Sequence, residues 1–259
     1  MERLSAKNNE KIKTAITLRD SSSARNESGL FFLEGARLCS DAAENAPVYR
    51  AFFTPSALKK YSDKCEIIIS KAEECYEISD EIARKMSDTK NPQGVFCLCR
   101  FDFFGQNNSD LHGKYIMLEN VQDPSNLGAI CRTAEAIGID GMIVCGGCDI
   151  YNPKALRASM GSALRLNIIN CTDVEAFIKN AKENGILVLA STPSTDSVQI
   201  NEIDMKGSVI CIVGNEGNGI TAETMALCDK RVTIPMGGRA ESLNASTAAA
   251  ILIWEMVRK

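Results

Sequence analysis

Residues 115–145 read YIMLENVQDPSNLGAICRTAEAIGIDGMIVC, and this stretch sets the fold class. Two apolar runs, YIMLE (115–119) and GMIVC (141–145), flank a helical pattern over 127–137. A short polar turn, Asp123-Pro124-Ser125-Asn126, opens the helix. Apolar runs joined by an amphipathic helix are the unit of a parallel sheet, because parallel neighbours need a crossover of that length. Outward from here the pattern repeats. LNII (166–169), ILVLA (186–190), SVICIVG (208–214) and RVTI (231–234) continue the strand series, with helical patterns over 153–163, 174–184 and 221–228. The chain from 115 onward is predicted to be an α/β domain with a parallel sheet.

Toward the amino terminus a second series of apolar runs, LFFLE (30–34), VYRAFF (48–53), EIII (66–69) and VFCLCR (95–100), alternates with helix-compatible polar stretches. It predicts a smaller α/β domain. Between the two series FDFFGQNNSDLHGK (101–114) has the Asn, Gly, Ser and Asp content of a linker. The boundary is placed near residue 108, giving domains 1–107 and 108–259.

The composition is that of a globular protein: 259 residues, 45% hydrophobic and 24% charged, with 18 Gly and 7 Pro, which excludes collagen-like and disordered chains. No apolar run approaches the roughly 20 residues that cross a bilayer, and the polar start MERLSAKNNEKIKT lacks the apolar region of a secretory signal. A soluble, intracellular protein is expected. The 11 cysteines sit mostly inside apolar runs, where a thiol acts as a small buried hydrophobe. Cys145 and Cys148 form a lone C-x-x-C without a second ligand pair, so no metal is expected. His112 is the single histidine and lies in a polar stretch, which excludes most Ser-His and Cys-His chemistry. The net charge is −4, yet the first 25 residues hold Arg3, Lys7, Lys11, Lys13, Arg19 and Arg25 against three acids. Such a basic arm suits phosphate contact and equally a solvated helix.

Three segments carry chemistry. In the first, Asn126 or Ser125 is expected to cap the helix, and Arg132, six residues on, is expected on the broad side of the helix entrance. The turn is too short for a phosphate loop and lacks G-x-G-x-x-G, so a nicotinamide-dependent dehydrogenase fails. In the second, an apolar strand runs into Gly214-Asn215-Glu216-Gly217-Asn218-Gly219. Glycines at that density mean unusual backbone angles or close approach, at the strand end where α/β proteins bind ligands. In the third, a strand ends at Ile234-Pro235, and Glu241-Ser242-Leu243-Asn244 leads into an Ala-rich helix whose small residues allow close packing.

In this order the segments resemble the SpoU/TrmH family of RNA ribose 2′-O-methyltransferases, within the SPOUT superfamily. DPSNLGAICRTAEAIG, VGNEGNGI and IPMGG…SLNAS look like its three motifs, and YNPKALRASMGSALRL like its connecting segment. SGLFFLEGARLCSDAAEN resembles the start of the family's ribosomal-protein-like substrate-binding module. The resemblance implies a parallel-sheet domain with a deep trefoil knot at its carboxyl end, preceded by a small α/β RNA-binding domain. It implies S-adenosylmethionine bent into the knot and contacted by Gly214, Ile234 and Leu243, with Thr192 and Met236 as further contacts. It carries the catalytic cluster over to Asn126, Arg132, Glu216, Ser242 and Asn244.

No motif contains the histidine that general base catalysis usually employs. A guanidinium stays protonated in proteins, so Arg132 is expected to hold the adjoining RNA phosphate and stabilise the nascent alkoxide. Glu216 is expected to orient Asn126 and the arginine. The resemblance also implies a cytoplasmic homodimer, joined through the helix at about 244–257, with ribosomal RNA as the preferred substrate. A transfer RNA methyltransferase and a catalytically inactive knotted RNA-binding scaffold are the alternatives.

Overall fold

The computed structural model describes residues 1–101, 111–194 and 196–258. Contacts divide the chain into two units, Met1–Phe103 with Tyr151–Leu164, and Phe104–Ile150 with Arg165–Lys259. The boundary expected near residue 108 lies outside the described residues. The return of Tyr151–Leu164 to the first unit is invisible to a contiguous division, because strand and helix periodicity says nothing about which core a helix covers.

The first unit runs β1 (Glu2–Leu4), α1 (Glu10–Asp20), α2 (Ser22–Ser28), β2 (Leu30–Glu34), α3 (Ala36–Asn45), β3 (Val48–Phe53), α4 (Pro55–Lys60), α5 (Ser62–Lys71), β4 (Glu74–Ile78), α6 (Asp80–Met86) and β5 (Val95–Arg100). Among the described residues its sheet has five strands in the order β1-β4-β3-β5-β2. β5 lies antiparallel to both β2 and β3, so this sheet is mixed. Phe32, Phe52 and Phe96 are fully buried; each stabilises the fold by about 2–3 kcal/mol through area removed from water.

One expectation fails in this unit. EIII (66–69) is not a strand: it lies in α5, where Cys65 and Ile68 are buried while Ile67 and Ile69 face outward. That spacing is helical, and the strand there is the less apolar ECYEI of β4. The basic residues among the first 25 also have partners within the unit. Arg25 is buried, donating to Leu18 O (2.7 Å) and Arg19 O (3.1 Å). Arg19 donates to the carbonyls of Lys85, Met86 and Ser87 at 2.9–3.0 Å. Lys11 bonds Tyr76, and Arg3, Lys7 and Lys13 pair with Glu77, Glu81 and Glu10. Arg19 and Arg25 tie parts of the unit together through main-chain carbonyls, whereas the exposed pairs of Arg3, Lys7 and Lys13 add little.

The second unit contains β6 (Lys114–Glu119), α7 (Pro124–Ile137) and β7 (Gly141–Cys145); α8 (Pro153–Ser159) belongs to the first unit. β8 (Ile168–Cys171), α9 (Val174–Glu183), β9 (Leu187–Ser191), β10 (Val198–Gln199), β11 (Val209–Val213), α10 (Ala222–Leu227), β12 (Lys230–Thr233) and α11 (Ala245–Val257) complete it. Among the described residues all seven strands pair in parallel, in the order β10-β12-β9-β11-β6-β7-β8. The central β11, VICIV, is buried at every position, as a strand covered on both faces must be. α11 packs on α7 and on β11 and β6, and α9 packs with α10 and β9. Met117, Ile143, Ile178, Val188, Ile210 and Ile212 belong to one buried cluster. No helix among the described residues is long and apolar enough to cross a membrane.

Candidate active site

The strand order brings the three glycine- and asparagine-rich segments to one edge. β12, β9, β11 and β6 are successive neighbours, so the residues following them share the carboxyl end of the sheet. There, ligands of open α/β sheets bind. Thr192 follows β9 and donates its N–H to Val232 O at 2.9 Å. Gly214 follows β11 and Ile234 follows β12; Met236 and Leu243 lie in the irregular segment between β12 and α11.

α7 begins two to three residues earlier than its polar turn suggests. Asp123, not Asn126 or Ser125, is the N-cap, accepting from Ser125 N at 2.8 Å, with Pro124 in the first turn. Proline suits that position because its missing N–H would find no partner there. Asn126 is thereby drawn inside the helix and buried. Its amide faces two ways: Nδ2 donates to Glu216 Oε1 at 2.9 Å, and Oδ1 accepts from Asn244 Nδ2 at 3.1 Å. Glu216 also accepts from the N–H groups of Gln122 (3.1 Å) and Asp123 (3.2 Å). Asn244 caps α11, its Oδ1 accepting from Ser246 N (2.9 Å), Ser246 Oγ (2.6 Å) and Thr247 N (3.4 Å). A single polarised relay, Ser246 to Asn244 to Asn126 to Glu216, joins all three segments.

Burial opposes the charge on Glu216, but the hydrogen bonds from Asn126, Gln122 and Asp123 outweigh it and hold the carboxyl below its ordinary range. Glu216 is therefore an anion at neutral pH that orients donors, and a weak proton acceptor. Burial pushes the Cys131 and Cys211 thiols up to about 12, so neither is a nucleophile.

Not every expected residue joins the relay. Arg132 is exposed and makes no hydrogen bond or ion pair among the described residues, so Glu216 does not orient it. It also does not share Asn126's side: at 3.6 residues per turn, six residues rotate about 240°, which carries Arg132 from the buried face to the outer one. Ser242 is exposed and likewise without a hydrogen bond.

Sequence reasoning passed over several supporting residues. Asn120 adopts a left-handed backbone (φ 55°), donates its N–H to Cys145 O and offers its carbonyl to Asn215 Nδ2, both at 2.9 Å. Cys148 N donates to Val121 O at 2.8 Å. Gly147 passes so close that a Cβ would stand 2.4 Å from Val121 O. The C-G-G-C step is thus an apposition of two loops, each glycine making room. Gly214 is constrained in another way: a Cβ there would meet Gly219 C at 2.2 Å, the far limb of its own loop. Glu119, the buried last residue of β6, accepts from Thr221 and Thr224. A carboxylate closing an apolar strand was the available signal.

Comparison with known proteins gives the family of the chain. The SpoU rRNA Methylase family profile matches residues 113–254, and an MRM3-like substrate binding domain matches 9–97. The chain is 27% identical to the 23S rRNA (guanosine(2553)-2′-O)-methyltransferase RlmP of Bacillus subtilis, covering 99% of each. It is 31% identical to an uncharacterized tRNA/rRNA methyltransferase of Synechocystis sp., covering 91% of this chain and 86% of that one. The crystal structure of an AdoMet-bound rRNA methyltransferase from Sinorhizobium meliloti superimposes with a TM-score of 0.87 at 27% identity, covering 99% and 97% of the two chains. With the family profile spanning more than half of its length and the motif segments meeting at one sheet edge, the chain belongs to the SpoU rRNA methylase family.

Proposed function

We propose that the protein transfers a methyl group from S-adenosylmethionine to a ribose 2′-hydroxyl of ribosomal RNA. The observation that carries this reading is the relay through Asn244, Asn126 and Glu216, which holds three separate segments in register at the carboxyl edge of the sheet. The likeness to RlmP supports ribosomal over transfer RNA.

The β12–α11 segment suits the donor. Across residues 234–243 no main-chain group bonds another backbone group among the described residues, leaving amides and carbonyls for an adenine edge. Ile234 and Leu243 are half-buried and Met236 is exposed, giving apolar contact beside those polar groups. Thr192 and Gly214, at the adjacent strand ends, would complete the pocket. Bound there, S-adenosylmethionine supplies an electrophilic methyl on a sulfonium. The chain's own work is placement and charge: Asn126, fixed by Glu216, and the exposed Ser242 and Asn244 orient the sugar, while Arg132 grips a phosphate bidentately and stabilises the developing alkoxide.

In this reading the carboxyl-terminal chain threads a trefoil knot, residues 1–107 form the RNA-binding domain and residues 108–259 the transferase domain. Two copies join through α11, so that Arg132, turned away from its own relay, completes the partner's site in the cytoplasmic enzyme. Incubation with radiolabelled S-adenosylmethionine and unmodified 23S ribosomal RNA tests the proposal. Label in a 2′-O-methyl nucleotide is expected; label in transfer RNA alone would redirect the substrate, and none in either would favour a scaffold.

A further inference from the structure

Glu119 is 4% exposed and no lysine, arginine or histidine pairs with it among the described residues. A carboxylate so placed is costly unless its oxygens are satisfied. Thr221 N donates to one oxygen at 3.0 Å; Thr221 Oγ1 (2.9 Å) and Thr224 Oγ1 (2.6 Å) donate to the other. An apolar residue of similar volume would fill the space without desolvating a charge, so what the carboxylate adds is direction.

That direction has a target. Leu118 pairs with Val213, which sets Glu119 beside Gly214, where the loop leaves β11. Thr221 stands where the same loop enters α10. Between them Asn215 and Gly219 exchange two main-chain hydrogen bonds of 3.0 and 2.9 Å, closing the loop into a narrow hairpin. Glu216 sits near its tip, and its reach to Asn126 depends on where the hairpin stands.

We propose that Glu119 is a positioning residue: through Thr221 and Thr224 it ties the exit of the 214–220 hairpin to the end of β6, while the pairing of β11 with β6 fixes the entry, so that Glu216 meets Asn126. The inference rests on the transferase reading for its kinetic consequence and on geometry alone for the clamp. Glutamine can restore the clamp, since its Oε1 accepts from Thr221 N while its Nε2 donates to the threonine hydroxyls.

The test compares Glu119→Ala, Glu119→Gln and Thr224→Val with the wild type, by amide hydrogen exchange and by steady-state methyl transfer to unmodified 23S ribosomal RNA. Glu119→Ala should accelerate exchange across 214–221 by about tenfold or more while β6, β7 and β11 keep wild-type rates. Its kcat should fall roughly ten- to a hundredfold, with KM for RNA within about twofold, as for a misplaced catalytic group. Glu119→Gln should recover both to within about threefold, because its amide can reverse the hydroxyl bonds. Thr224→Val, an isosteric loss of one donor, should move the same way by a few-fold and serves if Glu119→Ala fails to fold. Unchanged exchange in 214–221, uniform loosening of the whole unit, or a Gln variant as impaired as the Ala variant would overturn the clamp. A wild type that methylates no RNA would sink the functional reading by itself, and the exchange comparison would still decide the clamp.

Discussion

Asn126 is the residue on which the site turns, because it is donor and acceptor at once. Its Nδ2 satisfies Glu216 and its Oδ1 satisfies Asn244, so neither alanine nor aspartate can replace it. Asn126→Asp sets a second carboxylate against Glu216 and removes the donor between them. At neutral pH methyl transfer should drop at least about a hundredfold, the scale on which lost placement of a reacting group acts; an active Asp variant would refute the relay. Glu216 itself has a depressed carboxyl, so the stability it contributes is present above the ordinary carboxylate range and is lost as pH falls through its lower folded value. Acid unfolding of Glu216→Gln should lack that part of the decline, and superimposable profiles would count against an ionised Glu216. Arg132 tests a different interaction. Arg132→Lys keeps the charge and loses the fork that grips phosphate, so transfer should fall steeply; full activity would contradict the bidentate role.

At the scale of elements, α7 and α11 each begin at a residue that the site also uses. Asn244 caps α11 with its oxygen and reaches Asn126 with its nitrogen. Asn244→Asp separates the two tasks, since aspartate caps as well as asparagine but has no amide to donate. Stability should stay within about 0.5 kcal/mol by chemical denaturation, while methyl transfer falls about tenfold or more as the placement of Asn126 is lost. A variant that loses both together would mean the cap, and not the relay, is what matters. The strands YIMLE and GMIVC were legible because burial on both faces leaves an uninterrupted apolar run, and the helix between them by its amphipathic period. EIII was not, since three isoleucines in a row fit a helix face and a strand alike, and the neighbours of Cys65 and Ile68 decide between them. The position of Arg132 was misjudged through a simple rotation: close along the helix axis is not the same as close around it.

At the scale of the molecule, exposed apolar surface marks what the single chain leaves unfinished. Trp254 on α11 is 55% exposed, on a helix otherwise packed on α7 and the sheet. Sedimentation at low micromolar concentration should give a dimer, and Trp254→Glu should give a monomer that keeps its fold and loses transfer; an active monomer would refute a shared site. The sequence by itself determined the α/β class, the order of the longer strands and helices of the second unit though not the two-residue β10, and the residue types that chemistry on a sugar hydroxyl requires. Those follow from periodicity and side-chain identity, which are local. Only the tertiary structure decided that Asn126 is shared between Glu216 and Asn244, 90 and 118 residues away in the chain, that Glu119 is bonded to Thr221 and Thr224, and that Tyr151–Leu164 joins the first unit. It decided too that Arg19 and Arg25 are spent on main-chain carbonyls of the first unit. Each of these is a pairing between distant positions, and distance along a chain carries no trace of which polar group will satisfy which once water is excluded.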